Sequence, residues 1–404
     1  MSVYLSTELR PARWPWLEAA RERGQLWLYD PRRIAGPPIP ISEFDLEAVN
    51  LFNGQLTIAE IHATLTVRFG AGAPSPQSLA AFAERLDREL YLDGFAFRDY
   101  LAGTIRRPSC VGCYPLEPAA IRAKMDRLFT APGGPGLPNG RAIDNPRLRA
   151  VLAPHMDYDR GNVTYGHAFK TLIEQTDARL FFVIGTSHYS PARFSLTRMN
   201  FVTPLGMVET DRASVDRIAA ACGPAVFEDP FAHLPEHSIE LEVVVLQHLL
   251  GDRPFRIVPL LVGSFGDCVA SRTAPDQVDE IARMIDALRD AESAAGEPVC
   301  YVISGDLAHV GPKFGDPEPV RSPFLAESRQ RDEAILDTLK AADRNGYFET
   351  IADEGDARRI CGLPPTYVAL AATRPNEGTT LHYQQFVHPQ GHESVSFAAA
   401  AFYE

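Results

Sequence analysis

The chain has 404 residues, with 39 Lys plus Arg against 52 Asp plus Glu, for a formal net charge of −13 at pH 7. That balance argues against non-specific binding to nucleic acid or to an acidic membrane surface. Hydrophobic residues make up 45 % and charged residues 23 %, ordinary values for a soluble globular chain with room for two domains.

No apolar run approaches the roughly 20 residues of a membrane-spanning helix. The stretch from Met1 to Arg13 lacks a basic segment followed by an apolar core, so no secretion signal is visible. Six cysteines fit a reducing cytoplasm, which is the expected location.

Residues 1 to 105 read as a small separate domain. Trp14 to Tyr29 mixes aromatic and charged residues, Asp30-Pro31 supplies a turn, and Pro37, Pro38 and Pro40 end the segment. Three short helical patterns follow. Leu46, Val49 and Phe52 mark the first. The second opens on a capping box, Thr57 with Glu60, and shows Ile58, Ile61, Leu65 and Phe69 on one face. Leu79, Phe82, Leu86 and Leu90 mark the third, and Phe95 to Tyr100 alternates like a strand. Three helices and a strand outline a winged helix. A groove-reading domain should be basic, yet residues 1 to 100 hold ten Arg, no Lys and thirteen Asp plus Glu. Leu51-Phe52-Asn53-Gly54 through Ile58-Ala59-Glu60-Ile61 resembles the PqqD-like peptide-recognition domains instead. A docking or structural appendage is the competing reading.

Residues 106 to 147 are rich in Pro and Gly, with loops at Pro132-Gly133-Gly134-Pro135-Gly136 and Pro138-Asn139-Gly140 after a short amphipathic helix from Pro118 to Leu128. Cys110-Val111-Gly112-Cys113 has C-x-x-C spacing. A structural zinc site needs a second pair, and Cys222, Cys268, Cys300 and Cys361 are scattered. Two ordinary thiols are the preferred reading and a redox pair the alternative.

From residue 148 strands and helices alternate. Helical patterns cover Asn162 to Glu174, Ser214 to Ala221, Ile239 to Leu250, Gln277 to Asp290, Ala326 to Ala342 and Pro365 to Thr373. Strand-like runs include Phe255 to Val262 and Val395 to Tyr403, and Phe201 to Thr210 is broken by a turn at Thr203-Pro204-Leu205-Gly206. The expected fold is α/β, a mixed central sheet flanked by helices over residues 106–404, with the small winged-helix-like unit ahead of it.

Three strands end in the same way. Leu148 to Leu152 runs into Ala153-Pro154-His155-Met156-Asp157, Arg179 to Ile184 into Gly185-Thr186-Ser187-His188, and Val299 to Ile303 into Ser304-Gly305-Asp306-Leu307-Ala308-His309. If these strands are parallel, the tips share one sheet edge, where open α/β sheets place their sites. A fourth segment, Pro235-Glu236-His237-Ser238-Ile239-Glu240, opens a helix with a histidine in its first turn. One histidine after one strand is ordinarily a loop residue bound to backbone. Three repeats of the placement point to a shared site, with four histidines and Asp306 converging. Neutral imidazole and carboxylate suit divalent iron, zinc or copper. The positive end of the helix dipole disfavours imidazolium at His237, leaving a ring able to ligate or accept a proton. Asp306 could orient a histidine or bind metal directly. His248 reads as a surface or helix-end partner, and His382, His388 and His392 as mostly exposed. No G-x-S-x-G elbow or Gly-rich phosphate loop is present.

These motifs, from Arg107-Pro108 and Tyr114-Pro115 through Thr203-Pro204-Leu205-Gly206 to Cys361-Gly362, resemble the Memo family, also called AmmeMemoRadiSam system protein B. The resemblance covers about residues 106 to 404. It implies a LigB/Memo-like fold related to the class III extradiol dioxygenases, which hold non-haem iron. It also implies metal ligands at His155 and His188, and an acid/base position at His237. A third ligand, a cysteine in the best-known member, is expected at the position of Ala308, where alanine cannot coordinate. The resulting expectation is a metal-dependent redox or dioxygenase-like enzyme. His155, His188 and His237 would hold the ion, iron first and zinc or copper as alternatives. His237, Asp306 and His309 would serve as catalytic groups. The substrate would be a small molecule or peptide-borne, and a radical SAM enzyme and the other component of that system would be partners, without nucleic acid or membrane. The alternative is a binding module that keeps the fold and has lost the chemistry.

Overall fold

A computed structural model describes residues 8–110, 112–139 and 148–404. The first seven residues, Val111 and the Gly140 end of the expected Pro138-Asn139-Gly140 loop lie outside them. The chain forms two compact units, Met1–Ile105 and Arg106–Glu404.

The first unit begins with an antiparallel sheet of β1 (Glu18–Glu22), β2 (Gln25–Tyr29) and β3 (Ile39–Ile41). Helices α1 (Glu43–Leu51), α2 (Ile58–Phe69), α3 (Pro76–Arg88) and α4 (Phe95–Ala102) follow. The capping box at α2 is formed: the Glu60 amide donates to Thr57 Oγ1 at 3.2 Å and the Thr57 amide to Glu60 Oε2 at 2.7 Å. The stretch from Phe95 to Tyr100 is helix α4, not the strand its alternation suggested. The Asp87 carboxylate accepts from the Ala96 amide at 3.1 Å, satisfying a donor at the helix start. Of the two alternating phenylalanines only Phe97 is buried, and Phe95 is 72 % exposed.

The short β4 (Ile105–Arg106) straddles the boundary, and the second unit continues with α5 (Pro118–Thr130), β5 (Leu148–Ala153), α6 (Tyr158–Gly161), α7 (Val163–Gln175), β6 (Leu180–Thr186), β7 (Phe194–Leu196), β8 (Asn200–Thr203) and β9 (Gly206–Thr210). Next come α8 (Arg212–Cys222), α9 (Ser238–Leu250), β10 (Arg256–Val262), α10 (Gly266–Ser271), α11 (Asp279–Ala294), β11 (Val299–Ser304) and β12 (His309–Val310). It ends with α12 (Ser322–Lys340), α13 (Arg344–Asp353), α14 (Leu363–Thr373), β13 (Glu377–Val387) and β14 (Ser394–Tyr403). The sheet is mixed and runs β12-β14-β5-β11-β6-β10-β9-β8, with β13 on β14 and β7 on β10. The four central strands β5, β11, β6 and β10 are parallel, and β14 lies antiparallel to β5.

Both faces of the central strands β5, β11, β6 and β10 are covered, so these strands are mainly apolar. Successive side chains of a strand point to opposite faces. Ala150 and Leu152 therefore join one core with Phe182, Ile184, Met284 and Tyr367, from β6, α11 and α14. Val151 and Ala153 join the other with Phe181, Met125, Phe169 and Val244, from β6, α5, α7 and α9. This two-sided packing fixes the strand tips. Residues Ala153, Ser304 and Gly185 stand abreast in register at the carboxyl edge of β5, β11 and β6.

Candidate metal centre

Three loops leave that edge together and bring their ionisable residues to one place. The ring centroids of His155 and His188 are 5.0 Å apart, those of His155 and His237 5.4 Å, and those of His188 and His237 4.6 Å. The His237 side chain arrives from the start of α9. Gly185 permits this approach: a Cβ there would lie 2.6 Å from Ser238 Oγ, which donates to the Thr186 carbonyl at 2.8 Å.

The cluster has a fourth contributor that the sequence reading placed wrongly. Cys361 Sγ lies 3.3 Å from His155 Nε2. Its loop closes on the β11 tip through two glycines, since a Cβ on Gly305 would lie 2.6 Å from Gly362 Cα. The Gly362 amide donates to the Asp306 carbonyl at 2.9 Å. Ala308 is not at the centre. It is 1 % exposed, packs in the apolar core, and its amide donates to Ser396 Oγ at 3.0 Å. The thiol expected at position 308 is supplied instead by a loop more than fifty residues further along the chain.

Three donor sets result, each with one ligand atom per residue and all atoms within 4.8 Å of one another: His155, His188 and Cys361; His188, Glu236 and His237; and Asp306, His309 and Cys361. Ligand atoms around a tetrahedral ion with bonds of about 2.0–2.3 Å sit roughly 3.3–3.8 Å apart. Small side-chain rotations close the difference, so the residues fit a metal ion. Of the set, His155 and Asp306 are buried at 2 %, while the His188 and His237 side chains are 29 % and 30 % exposed. The open side therefore lies at His188 and His237.

Hydrogen bonds set the ring orientations. Ser304 Oγ donates its one proton to the Ser238 carbonyl at 2.6 Å, so at 3.4 Å it can only accept from His155 Nδ1. That leaves the lone pair of His155 on Nε2, facing Cys361. His309 Nδ1 lies 3.1 Å from two carbonyls, of Leu307 and Arg359, and so carries the proton there. Glu236 is the organising carboxylate that the sequence reading did not single out. It accepts from the His188 amide at 2.7 Å, His188 Nδ1 at 3.0 Å, the His237 amide at 2.8 Å and the Ser238 amide at 3.0 Å. A carboxylate that ties up Nδ1 leaves Nε2 free to face the cluster, where it could bind an ion. Its position directly before His237 was the available signal.

Glu236 is held in turn by a buried ion pair between Arg106 and Glu240, both without solvent exposure. Arg106 also donates to the His233 carbonyl at 2.7 Å and the Glu236 carbonyl at 2.6 Å.

Electrostatics follow from burial and pairing. Burial, with the neighbouring histidines adding, holds His155 well below the usual imidazole range, so its ring is neutral and able to ligate. Burial alone would raise Glu236 and lower His188. Their mutual attraction and hydrogen bond outweigh it, so Glu236 is held well below the carboxylate range and His188 is raised. Burial pushes Asp306 up to about 7 against the opposing His155 amide, and His309 down to about 4. Burial and the Asp306 charge push the Cys361 thiol up. A cation reverses this, because a coordinating thiol is deprotonated outright.

Residues 106–402 match the Memo-like protein family. The chain belongs to that family. A MEMO1 family protein of Methanopyrus kandleri is 27 % identical over 307 residues, covering 74 % of this chain and 98 % of its own length. One from Aquifex aeolicus is 25 % identical over 387 residues, 93 % of this chain and 95 % of its own. One from Methanothermobacter thermautotrophicus is 29 % identical over 274 residues, 67 % and 88 %. In this Memo-like chain the other sequence candidates lie elsewhere. His382 is half-buried rather than exposed, with its ring stacked on His167 at 4.7 Å and Nδ1 2.8 Å from Thr164 Oγ1. His388 is half-buried as well, and His392 is exposed. His248 pairs with Asp126 at 2.9 Å. No helix among the described residues is long and apolar enough to cross a membrane.

Proposed function

We propose that this Memo-like protein is a metal-dependent redox or dioxygenase-like enzyme acting on a small or peptide-borne substrate. The observation that carries the reading is the donor set His155, His188 and Cys361 at the strand edge, buried at His155 and most open at His188 and His237. Mixed nitrogen, oxygen and sulfur donors with an open position suit a redox-active ion, and we assign iron, with zinc or copper as competitors. The bound ion would supply electron transfer to or from the substrate. The chain's own residues would do the rest. Glu236 fixes the His188 ring, His237 exchanges a proton at the open face, and Asp306 and His309 hold or pass protons on the inner side. The binding-module alternative drew its support from Ala308, and Cys361 removes that support.

We further assign the protein to the AmmeMemoRadiSam system, with a radical SAM enzyme and the other component as partners, and to the cytoplasm. Family membership and six cysteines with no disulfide among the described residues support this. The test is elemental analysis by plasma mass spectrometry of protein purified without added metal. About one iron per chain is expected. Iron absent from the wild type, and not retained after anaerobic loading and desalting, would overturn the assignment.

A further inference from the structure

We propose that Cys110 and Cys113 form a reversible dithiol–disulfide pair, a modification site on the turn that grips the first turn of α9. The geometry carries it. The Cys113 amide donates to the Cys110 carbonyl at 2.9 Å, the i to i+3 bond of a tight turn. Such a bond brings the two Cα atoms within about 7 Å, the range a disulfide spans. Gly112, at φ 108°, supplies the left-handed residue of the turn.

The turn is clamped on both sides of the pair by one carboxylate. The Ser109 amide donates to Glu240 Oε2 at 2.9 Å, the Cys110 amide to Glu240 Oε1 at 3.0 Å, and the Tyr114 hydroxyl to Glu240 Oε1. Holding two reacting atoms together in this way removes most of the entropy cost of joining them. Exposure divides the roles. Cys113 is half-buried and meets a reagent first, whereas Cys110 is 1 % exposed. Burial disfavours the Cys110 thiolate, so it acts second, on a neighbouring sulfur that has already been activated.

The oxidant is a small disulfide. The Cys113 thiolate attacks one of its sulfurs, forming a mixed disulfide and releasing one small thiol. Cys110 then gives up its proton and attacks the Cys113 sulfur, releasing the second. Two protein thiols and one small disulfide become one protein disulfide and two small thiols.

The test equilibrates the folded full chain in reduced and oxidised glutathione at several ratios, quenches with acid, alkylates and digests. The peptide ending at Arg122 carries both residues and no other cysteine. A mass loss of about 2 Da in that peptide, reversed by excess reduced glutathione, is expected. Cys113→Ser should abolish the loss and Cys222→Ser should keep it. Two outcomes overturn the proposal: a stable glutathione adduct on Cys113 with Cys110 free at every ratio, or a linkage that forms only after unfolding in urea.

Discussion

Replacing Glu242 with Gln should stabilise the protein by an amount that grows with pH. Glu242 is fully buried on α9, and neither of its carboxylate oxygens has a hydrogen-bond partner among the described residues. Ser304 lies against it, but the Ser304 proton goes to the Ser238 carbonyl. Burial pushes the carboxyl well above its usual range. Ser304 opposes the rise weakly, and the Asp306 charge adds to it. The folded state therefore keeps a proton on Glu242 that the unfolded chain loses. A pKa raised on folding means that stability falls as pH rises. The loss begins at the ordinary carboxyl range near 4.3 and continues until the raised value is passed. Each pH unit in that window costs about 1.4 kcal/mol. Gln has a similar shape and no proton to lose. The gain of Glu242→Gln over wild type should rise by up to about 1.4 kcal/mol for each pH unit above the ordinary carboxyl range, until the raised value is passed. Urea melts of both proteins, run with a chelator present, would measure it. All three tryptophans, Trp14, Trp16 and Trp27, lie in the first unit, so far-ultraviolet circular dichroism is the probe that follows the second. A difference that stays flat from pH 5 to 7.5 would refute the reasoning, because it would mean that Glu242 is ionised and paired in the fold.

Much of the site was legible because a buried parallel sheet writes itself plainly. Its strands are short apolar runs, and the chain turns polar where each one ends. His155, His188 and Asp306 all lie two residues past the end of such a strand, and the in-register row Ala153, Ser304 and Gly185 is why they meet. His237 was legible through the helix pattern of Ile239 to Leu250. What could not be read was any placement that depends on contact between distant loops. Cys361 follows no strand. It reaches the centre because Gly305 and Gly362 let two backbones touch, and neither glycine carries a pattern that says so. Ala308 was expected at the centre because the family resemblance puts a cysteine ligand at its position. The chain bonds to Ser396 on either side of it, and the methyl turns into the core. In the first unit, alternating Phe95 and Phe97 gave a strand signal that the Asp87 carboxylate overrides by capping a helix. The strand β13 was not anticipated, because its residues are half-buried and polar rather than alternating.

Other outcomes follow from the same geometry. Cys361→Ser and His155→Ala should each lose stoichiometric metal by plasma mass spectrometry, whereas Ala308→Cys and His392→Ala should keep it. Arg358→Met should destabilise the second unit by about 3–5 kcal/mol in urea, because it leaves the buried Asp332 carboxylate with the Tyr383 hydroxyl but without its cationic partner. The protein should show no tight, salt-sensitive binding to duplex DNA in an anisotropy titration, given the acidic balance of both the chain and its first hundred residues. Glu236→Gln should weaken metal binding by about 10- to 100-fold, measured by competition with a chromophoric chelator near pH 7.5. The carboxylate takes four N–H donors on two oxygens, two from His188 and one each from the His237 and Ser238 amides. An amide offers one accepting oxygen and turns its NH₂ toward donors at the other position, so the His188 ring loses the partner that aims Nε2. The charge effect runs the other way. Glu236 raises His188, so removing its charge lowers the pH at which a proton competes for the ring. The variant should therefore bind more weakly at pH 7.5 yet lose its metal at a lower pH than a simple loss of affinity implies. Binding within two-fold of wild type at both ends of the titration would mean that Glu236 supports only the fold of the α9 start and does not orient a ligand.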